Sequence, residues 1–331
     1  MTYSAGNVIL AADYNGFANG SANNIGNVWA IGSTDKGWGQ SNIANVAAAG
    51  TVTATQWATL VNTLTTMGSQ TGVTITSRTA PVAGNTIAIF ANVATDINNL
   101  TLYRGNAAAS GTEYGTFSGT TSKTTATGSG TTPWTITFTH TITFPSANAA
   151  RYFWNAGGIV KIQYGKSSTG TDHDDDWNTF AGQCGSINLT GRVNGASQTI
   201  AGQAYTGTTR LSGSGGTQTT LATTTGWYNL TGTPTTIFQL NNVTAPYQPE
   251  YIQTTATATS STVLTLVTTW YDDGTGVVGA TSNISGGTAV TSPATSIGAA
   301  TAPTTLVTYI PPSTSFLSNT WGTPTIAASV A

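Results

Sequence analysis

The chain has 331 residues and only 6% of them are charged: nine Lys and Arg against eleven Asp and Glu, with two His. Soluble domains usually carry about 25% charged residues, so Thr, Ser, Asn, Gln and Gly must form most of this surface. The net charge of −2 and the lack of a basic cluster argue against nucleic-acid binding. The sequence contains no apolar run of about 18 residues, so no membrane-spanning helix is expected. The first residues lack the basic start of a secretory signal.

Residues 1–105 predict a helical or mixed region that anchors or oligomerises the protein. Its clearest helix begins at Thr53, where Thr53 and Gln56 fit a capping box. An apolar stripe from Trp57 to Met67 follows at helical spacing, and Gly68 is its expected end. Two further helices are expected over residues 11–25 and 87–100.

Beyond a spacer rich in Gly, Ser and Thr at 106–133, residues 134–331 predict a β-sandwich domain with an extended tail. Trp134 to Phe144 alternates apolar residues with threonines, which is typical of a strand with one buried face. A second strand is expected from Ser261 to Tyr271, and the tail from 288 is expected to wrap over the surface or to contact a partner. The fold class is therefore mainly β with a small helical N-terminal region, and its C-terminal part is an antiparallel, jelly-roll-like sandwich.

Asp172 to Asp176 form the densest polar cluster, with four of the eleven acidic residues. Carboxylate-rich segments can hold Ca²⁺, so Asp172, Asp174 and Asp176 are the candidate ligands. The glycine and the bidentate Glu of an EF-hand loop are missing, and the alternative is a solvated loop. No other cofactor is expected.

The sequence favours a non-enzyme. It contains no nucleophile elbow, zinc-binding helix, phosphate loop or dinucleotide fingerprint. Glycoside hydrolysis needs two carboxylates about 5–10 Å apart, and nothing local predicts such a pair. His140 falls on the apolar side of a strand and Cys184 is the single cysteine, so both are expected in the core.

Exposed aromatic side chains on loops could stack on sugar rings. Trp177, Trp227 and Tyr228 are the best candidates for glycan contact, although core burial is the competing interpretation.

Three segments resemble a structural protein that recurs in tailed bacteriophages, cyanophages among them. The first is Ala11-Ala-Asp-Tyr-Asn15 with Trp29 and Gly37-Trp-Gly-Gln40. The second is Val52-Thr-Ala-Thr-Gln-Trp57. The third and most specific is Phe144-Pro-Ser-Ala-Asn-Ala-Ala-Arg-Tyr-Phe-Trp-Asn-Ala-Gly-Gly158, which keeps an aromatic residue at Trp154 where the family has another aromatic.

The resemblance implies a virion protein of the neck or tail, such as a fibre or appendage, and brings no catalytic residues. Its structural or assembly residues map to Asp13, Tyr14, Asn15, Trp57, Arg151, Tyr152, Phe153 and Asn155. The expected partners are further copies, as a homotrimer, and other virion proteins of the neck, tail or baseplate. The alternatives are an adhesin that binds host-surface carbohydrate and, third, a polysaccharide-degrading tail enzyme.

Overall fold

The computed structural model describes nine segments of the chain. These are residues 10–20, 24–83, 92–106, 117–122, 134–168, 172–192, 197–244, 250–272 and 303–331. For residues 117–122, 134 and 172–174 only the backbone is described.

Six α-helices lie in these segments, together with a π-helical turn at Gly16–Gly20 and a 3₁₀ turn at Trp227–Asn229. They are α1 Ala11–Asn15, α2 Ile25–Trp29, α3 Ala54–Thr71, α4 Val93–Leu102, α5 Ala147–Asn155 and α6 Asp172–Cys184. The predicted first helix is therefore divided by the π-turn. Of the predicted third helix, residues 87–91 lie outside the described residues, and the rest is found as α4.

The capping box of α3 is confirmed. The Gln56 amide N–H donates to Thr53 Oγ1 at 3.3 Å, and the Thr53 N–H donates to Gln56 Oε1 at 2.8 Å. Gly68 does not end the helix. It lies inside α3, close to Ile75, whereas Gly72 adopts a φ of 67° that ends the helix in the left-handed region.

Thirteen strands lie in the described segments, and all their pairings are antiparallel. They are β1 Phe117–Ser122, β2 Trp134–Thr143, β3 Ile159–Gly165, β4 Ser186–Leu189, β5 Gln198–Ile200, β6 Gln203–Tyr205, β7 Thr208–Leu211, β8 Thr217–Leu221, β9 Thr235–Asn241, β10 Tyr251–Ser260, β11 Val263–Asp272, β12 Thr304–Ile310 and β13 Thr325–Val330. One sheet has the order β1-β12-β3-β4-β7, the other β13-β2-β11-β10-β9-β8, and β5 and β6 form a separate hairpin.

The two large sheets face each other across an aromatic core. Tyr164 of β3 stacks on Phe238 of β9 at a centroid distance of 5.9 Å, and its hydroxyl lies 2.7 Å from Thr254 Oγ1 of β10. Trp270 of β11 donates its indole N–H to Thr305 Oγ1 of β12 at 3.2 Å. The predicted mainly-β class, with a helical N-terminal region and an antiparallel sandwich, is confirmed.

Strand β2 shows why alternation predicts well here. Ile136, Phe138, His140 and Ile142 are buried, whereas the intervening threonines are half-buried or exposed. The predicted strand at 261–271 is found as β11, which pairs with β2 over its whole length. His140 and Cys184 are both in the core, and burial raises the pKa of the Cys184 thiol, so that it stays protonated.

Two predictions about chain segments need correction. The tail does not simply wrap over the surface, because β12 lies inside a sheet between β1 and β3 and β13 pairs with β2. The spacer 106–133 contains β1, which pairs with β12 in register from Phe117 opposite Tyr309. Sequence alone misses both because the pairing partners are distant along the chain.

The N-terminal region and the sandwich share one hydrophobic cluster. It includes Trp57 and Leu60 of α3 together with Phe153 of α5 and Trp270 of β11. The division at 105 and 133 stays a prediction, but buried residues of the N-terminal helices and of the β-region belong to one continuous cluster.

Candidate interaction surface

Helix α5 forms a corner on which the N-terminal segment docks. Ser146 caps the helix by accepting the Ala149 N–H at 3.0 Å. At the other end Asn155 is completely buried; its Nδ2 donates to the Gly37 carbonyl at 3.0 Å, and its Oδ1 accepts from the Tyr228 hydroxyl at 2.9 Å. One amide therefore joins α5 to the N-terminal segment and to the 3₁₀ turn.

Trp38 completes this corner from the N-terminal side. Its indole N–H lies 3.0 Å from the carbonyl oxygens of both Arg104 and Asn155. Gln40 then ties the same segment to the C-terminal region, because its Nε2 donates to the Ser318 carbonyl at 3.0 Å and its Oε1 accepts the Ser318 N–H at 2.9 Å. The corner thus joins segments almost 280 residues apart.

The remaining assembly residues on α5 also make contacts within the chain. Arg151 donates to the Ile31 carbonyl at 2.8 Å and to the Thr34 carbonyl at 3.3 Å. Tyr152 lies against Gly39, and Phe153 is fully buried with its ring 4.9 Å from that of Trp154.

The first two segments of the resemblance meet each other in the structure. Tyr14 packs edge-on against Trp57 at 5.3 Å, and both rings are buried. Asn15 bonds both the N–H and the carbonyl of Val46 at 2.8 Å, while Asp13 accepts the Leu10 N–H at 3.1 Å. The described contacts of all eight predicted assembly residues therefore hold the chain's own segments together.

Trp177 and Trp227 do not lie on exposed loops, so the competing interpretation, core burial, holds for both, and Tyr228 is half-buried on the 3₁₀ turn. Trp177 is 1% exposed and packs on Trp270 from helix α6. Trp227 is 9% exposed and stacks on Trp154 at 5.7 Å. Burial raises the pKa of the Tyr228 phenol, which donates inward to Asn155.

The acidic cluster begins a helix rather than forming a solvated loop. Asp172 to Asp176 are the first residues of α6. Among the side chains that the structure describes, no group of three or more His, Cys, Asp or Glu is placed to hold a metal ion.

Asp176 instead belongs to a buried hydrogen-bonded group with Asn242 and Glu250. Asn242 donates its Nδ2 to Asp176 Oδ2 and, at 3.0 Å, to Glu250 Oε2. All three side chains are buried. This carboxylate pair is 74 residues apart in the sequence, so only the fold reveals it.

The outer face of the six-stranded sheet carries a continuous set of neutral side chains. On β2, β11 and β13 it carries nine half-buried or exposed neutral residues, which we call the threonine patch. They are Thr139, Thr141, Thr143, Val263, Thr265, Val267, Thr325, Ala327 and Ser329. These residues are paired directly across the strands, so that Thr141 lies between Thr265 of β11 and Ala327 of β13.

A second group, the tyrosine–amide patch, lies on the same face across β9, β10 and β11. It consists of Gln239, Asn241, Tyr251, Gln253 and Tyr271, all half-buried. Tyr251 and Tyr271 are directly paired across the strands, as are Gln253 and Gln239. Val267 and Tyr271 are the nearest members of the two patches on β11, and they are four residues apart, about 13 Å along the strand.

Sequence reasoning missed the tyrosine–amide patch. Alternation of Tyr251, Gln253, Thr255 and Thr257 with buried neighbours was available as a signal. The cross-strand partners were not, because register is set by pairing between distant strands.

None of the described helices is both long and apolar enough to cross a membrane. The chain matches no protein-family model, no curated protein and no solved structure.

Proposed function

We propose that this chain is a structural component of a tailed-phage virion, a fibre or appendage protein of the neck or tail. The threonine patch is the observation that carries the proposal, as the surface through which the chain packs against its neighbours. The three segments that resemble phage structural proteins supply the virion context. The proposal assigns no catalytic activity.

The composition of the threonine patch suits protein packing. Its side chains are short or β-branched, so they lose little conformational freedom when a partner covers them. Covering a charged group would require removing its water shell, a cost that a neutral hydroxyl avoids when it finds a hydrogen-bond partner. The whole chain is poor in charge, so the distinctive property of this patch is its continuity over three paired strands.

The α5 corner supports the same role. Bonds from Asn155, Trp38 and Gln40 fix the N-terminal segment to both the sandwich and the C-terminal region. A component that must transmit load through a particle benefits from such links between distant parts of the chain. We expect homotrimers, with further contacts to other proteins of the neck, tail or baseplate.

Sedimentation velocity of the purified chain tests the packing role. The wild type is expected to associate at micromolar concentration, and Thr141→Lys to shift it towards monomer, because a buried lysine in the patch is costly. Thr59→Lys, at an exposed position on α3, is the matched control and should associate like the wild type. A wild type that stays monomeric, or a Thr141→Lys variant that associates equally well, contradicts the role of the patch.

A further inference from the structure

The tyrosine–amide patch contains a preformed aromatic pair. The rings of Tyr251 and Tyr271 are stacked with centroids 4.8 Å apart and an interplanar angle of 21°. Stacking covers one face of each ring, so the solvent-exposed part of each ring lies on its other face or its edge. Both side chains are half-buried, so the pair is held in place yet reachable from solvent.

A chain of side-chain amides runs beside this pair. Gln253 Nε2 donates to Gln239 Oε1 at 2.7 Å, and Gln239 Nε2 donates to Asn241 Oδ1 at 2.9 Å. Asn241 is directly opposite Tyr251 on the adjacent strand. Each amide has two N–H groups and two acceptor lone pairs, so these two bonds leave donors and acceptors in all three side chains for a ligand.

The described residues that pair with the patch across the strands are neutral. The residues in register with it are Thr135 opposite Tyr271, Thr269 opposite Gln253, and Thr217 opposite Asn241. Sulfate, phosphate and carboxylate groups are recognised chiefly by Arg and Lys, and none stands among these positions. The patch therefore selects for an uncharged partner that is both polar and flat on one side.

We infer that the tyrosine–amide patch binds a neutral oligosaccharide. The apolar C–H face of a hexose packs on an outer tyrosine ring, and the sugar hydroxyls exchange hydrogen bonds with Gln239, Gln253 and Asn241. The amides are already fixed by their mutual bonds, so ordering them on binding costs little. Sugar binding at this patch goes beyond the proposed function and does not depend on the virion role.

The site is open on one side, so affinity for one sugar chain is expected to be about millimolar. Several copies in one assembly would raise the apparent affinity without new contacts. The inferred site therefore fits a protein that is present in many copies.

Saturation-transfer-difference NMR and calorimetric titration of the full chain test the inference. The probes are maltopentaose, cellopentaose and a galactan oligosaccharide, with a sulfated carrageenan oligosaccharide for comparison. Tyr271→Ala should weaken binding of a neutral probe about tenfold through loss of the stacking surface, whereas Tyr271→Phe should retain it. Thr257→Ala, six residues from Tyr251 on the same face of β10 and outside both patches, is the matched control and should bind like the wild type.

If Tyr271→Ala fails to fold, the Gln239→Leu, Gln253→Leu double variant replaces it, with at least a fivefold loss expected. Three results would overturn the inference: no binding of any neutral probe by the wild type, equal binding by the wild type and the patch variants, or tighter binding of the sulfated probe. A Tyr271→Ala variant that changes only the sedimentation of the protein would instead identify the patch as a protein contact.

Discussion

Replacing Asn155 by Ala removes the amide that joins helix α5 to two other parts of the chain. The Gly37 carbonyl loses a donor at 3.0 Å, and the Tyr228 hydroxyl loses an acceptor at 2.9 Å. A buried polar group left without its partner costs about 1–3 kcal/mol. The Tyr228 hydroxyl keeps a longer contact of 3.4 Å with the Arg151 carbonyl, so we expect a total loss of about 2–4 kcal/mol.

Urea unfolding followed by tryptophan fluorescence measures this loss. The urea concentration at the midpoint should fall, while the dependence of the unfolding free energy on urea concentration stays unchanged. Asn148→Ala is the matched control on the same helix. Asn148 is exposed, and its side chain accepts one bond, from Arg151 at 3.0 Å, so its variant should stay within about 0.5 kcal/mol of the wild type. Equal midpoints for the two variants would refute the view that Asn155 fastens the corner.

Two further predictions concern backbone strain and pH. Gly39 has a φ of 71°, and a Cβ there would lie 2.4 Å from Tyr152 Cε2, so Gly39→Ala should destabilise the protein by more than about 1 kcal/mol. Gly182→Ala, on helix α6 with open space around it, should instead stabilise by about 0.5–1 kcal/mol; thermal melts that rank the two variants the other way contradict the reasoning. Burial raises the pKa of Tyr164 far above the ordinary value of 10.0. The folded state then keeps a proton that the unfolded chain loses, so this stability is complete below pH 10 and declines as the pH rises further. Tyr164→Phe should cost about 1 kcal/mol at pH 7, through the lost bond to Thr254. In this variant the free energy of unfolding should also decline less steeply above pH 10. If its pH dependence between pH 7 and 11 equals that of the wild type, this explanation is wrong.

The capping box of α3 and the alternation of β2 were predicted correctly because each pattern lies within a short stretch of sequence. The capping box at Thr53 and Gln56 formed because both residues lie within one helical turn. The strand at 134–143 formed because its alternation matches a sheet with one buried face. Both patterns can be recognised in the sequence without knowing the distant strands that pair with β2.

Helix α6 was missed although its signal was present. Trp177, Phe180, Ala181 and Cys184 follow at helical spacing, and all four are buried. The acidic run before them suggested a solvated loop, but acidic residues in a first turn also favour a helix N-terminus. This apolar stripe could have predicted that the segment is a helix and that Trp177 is buried.

Other features could not be found from local patterns. Trp227 is buried because Trp154, 73 positions earlier, stacks on it. The tyrosine–amide patch requires the pairing of β9, β10 and β11, and β12 reaches its place in the sheet by pairing with β1 and β3. These arrangements depend on register between strands, which hydropathy alone does not specify.

Our main proposal is that this chain is a multi-copy structural part of a virion. It is tested by quantitative mass spectrometry of particles purified by density gradient from a phage lysate in which the chain is produced. We expect the chain to co-purify with the particles at a fixed ratio to the major tail protein, in a multiple of three copies per particle. Recovery of the chain only in the soluble fraction of infected cells, absent from the particles, would contradict it.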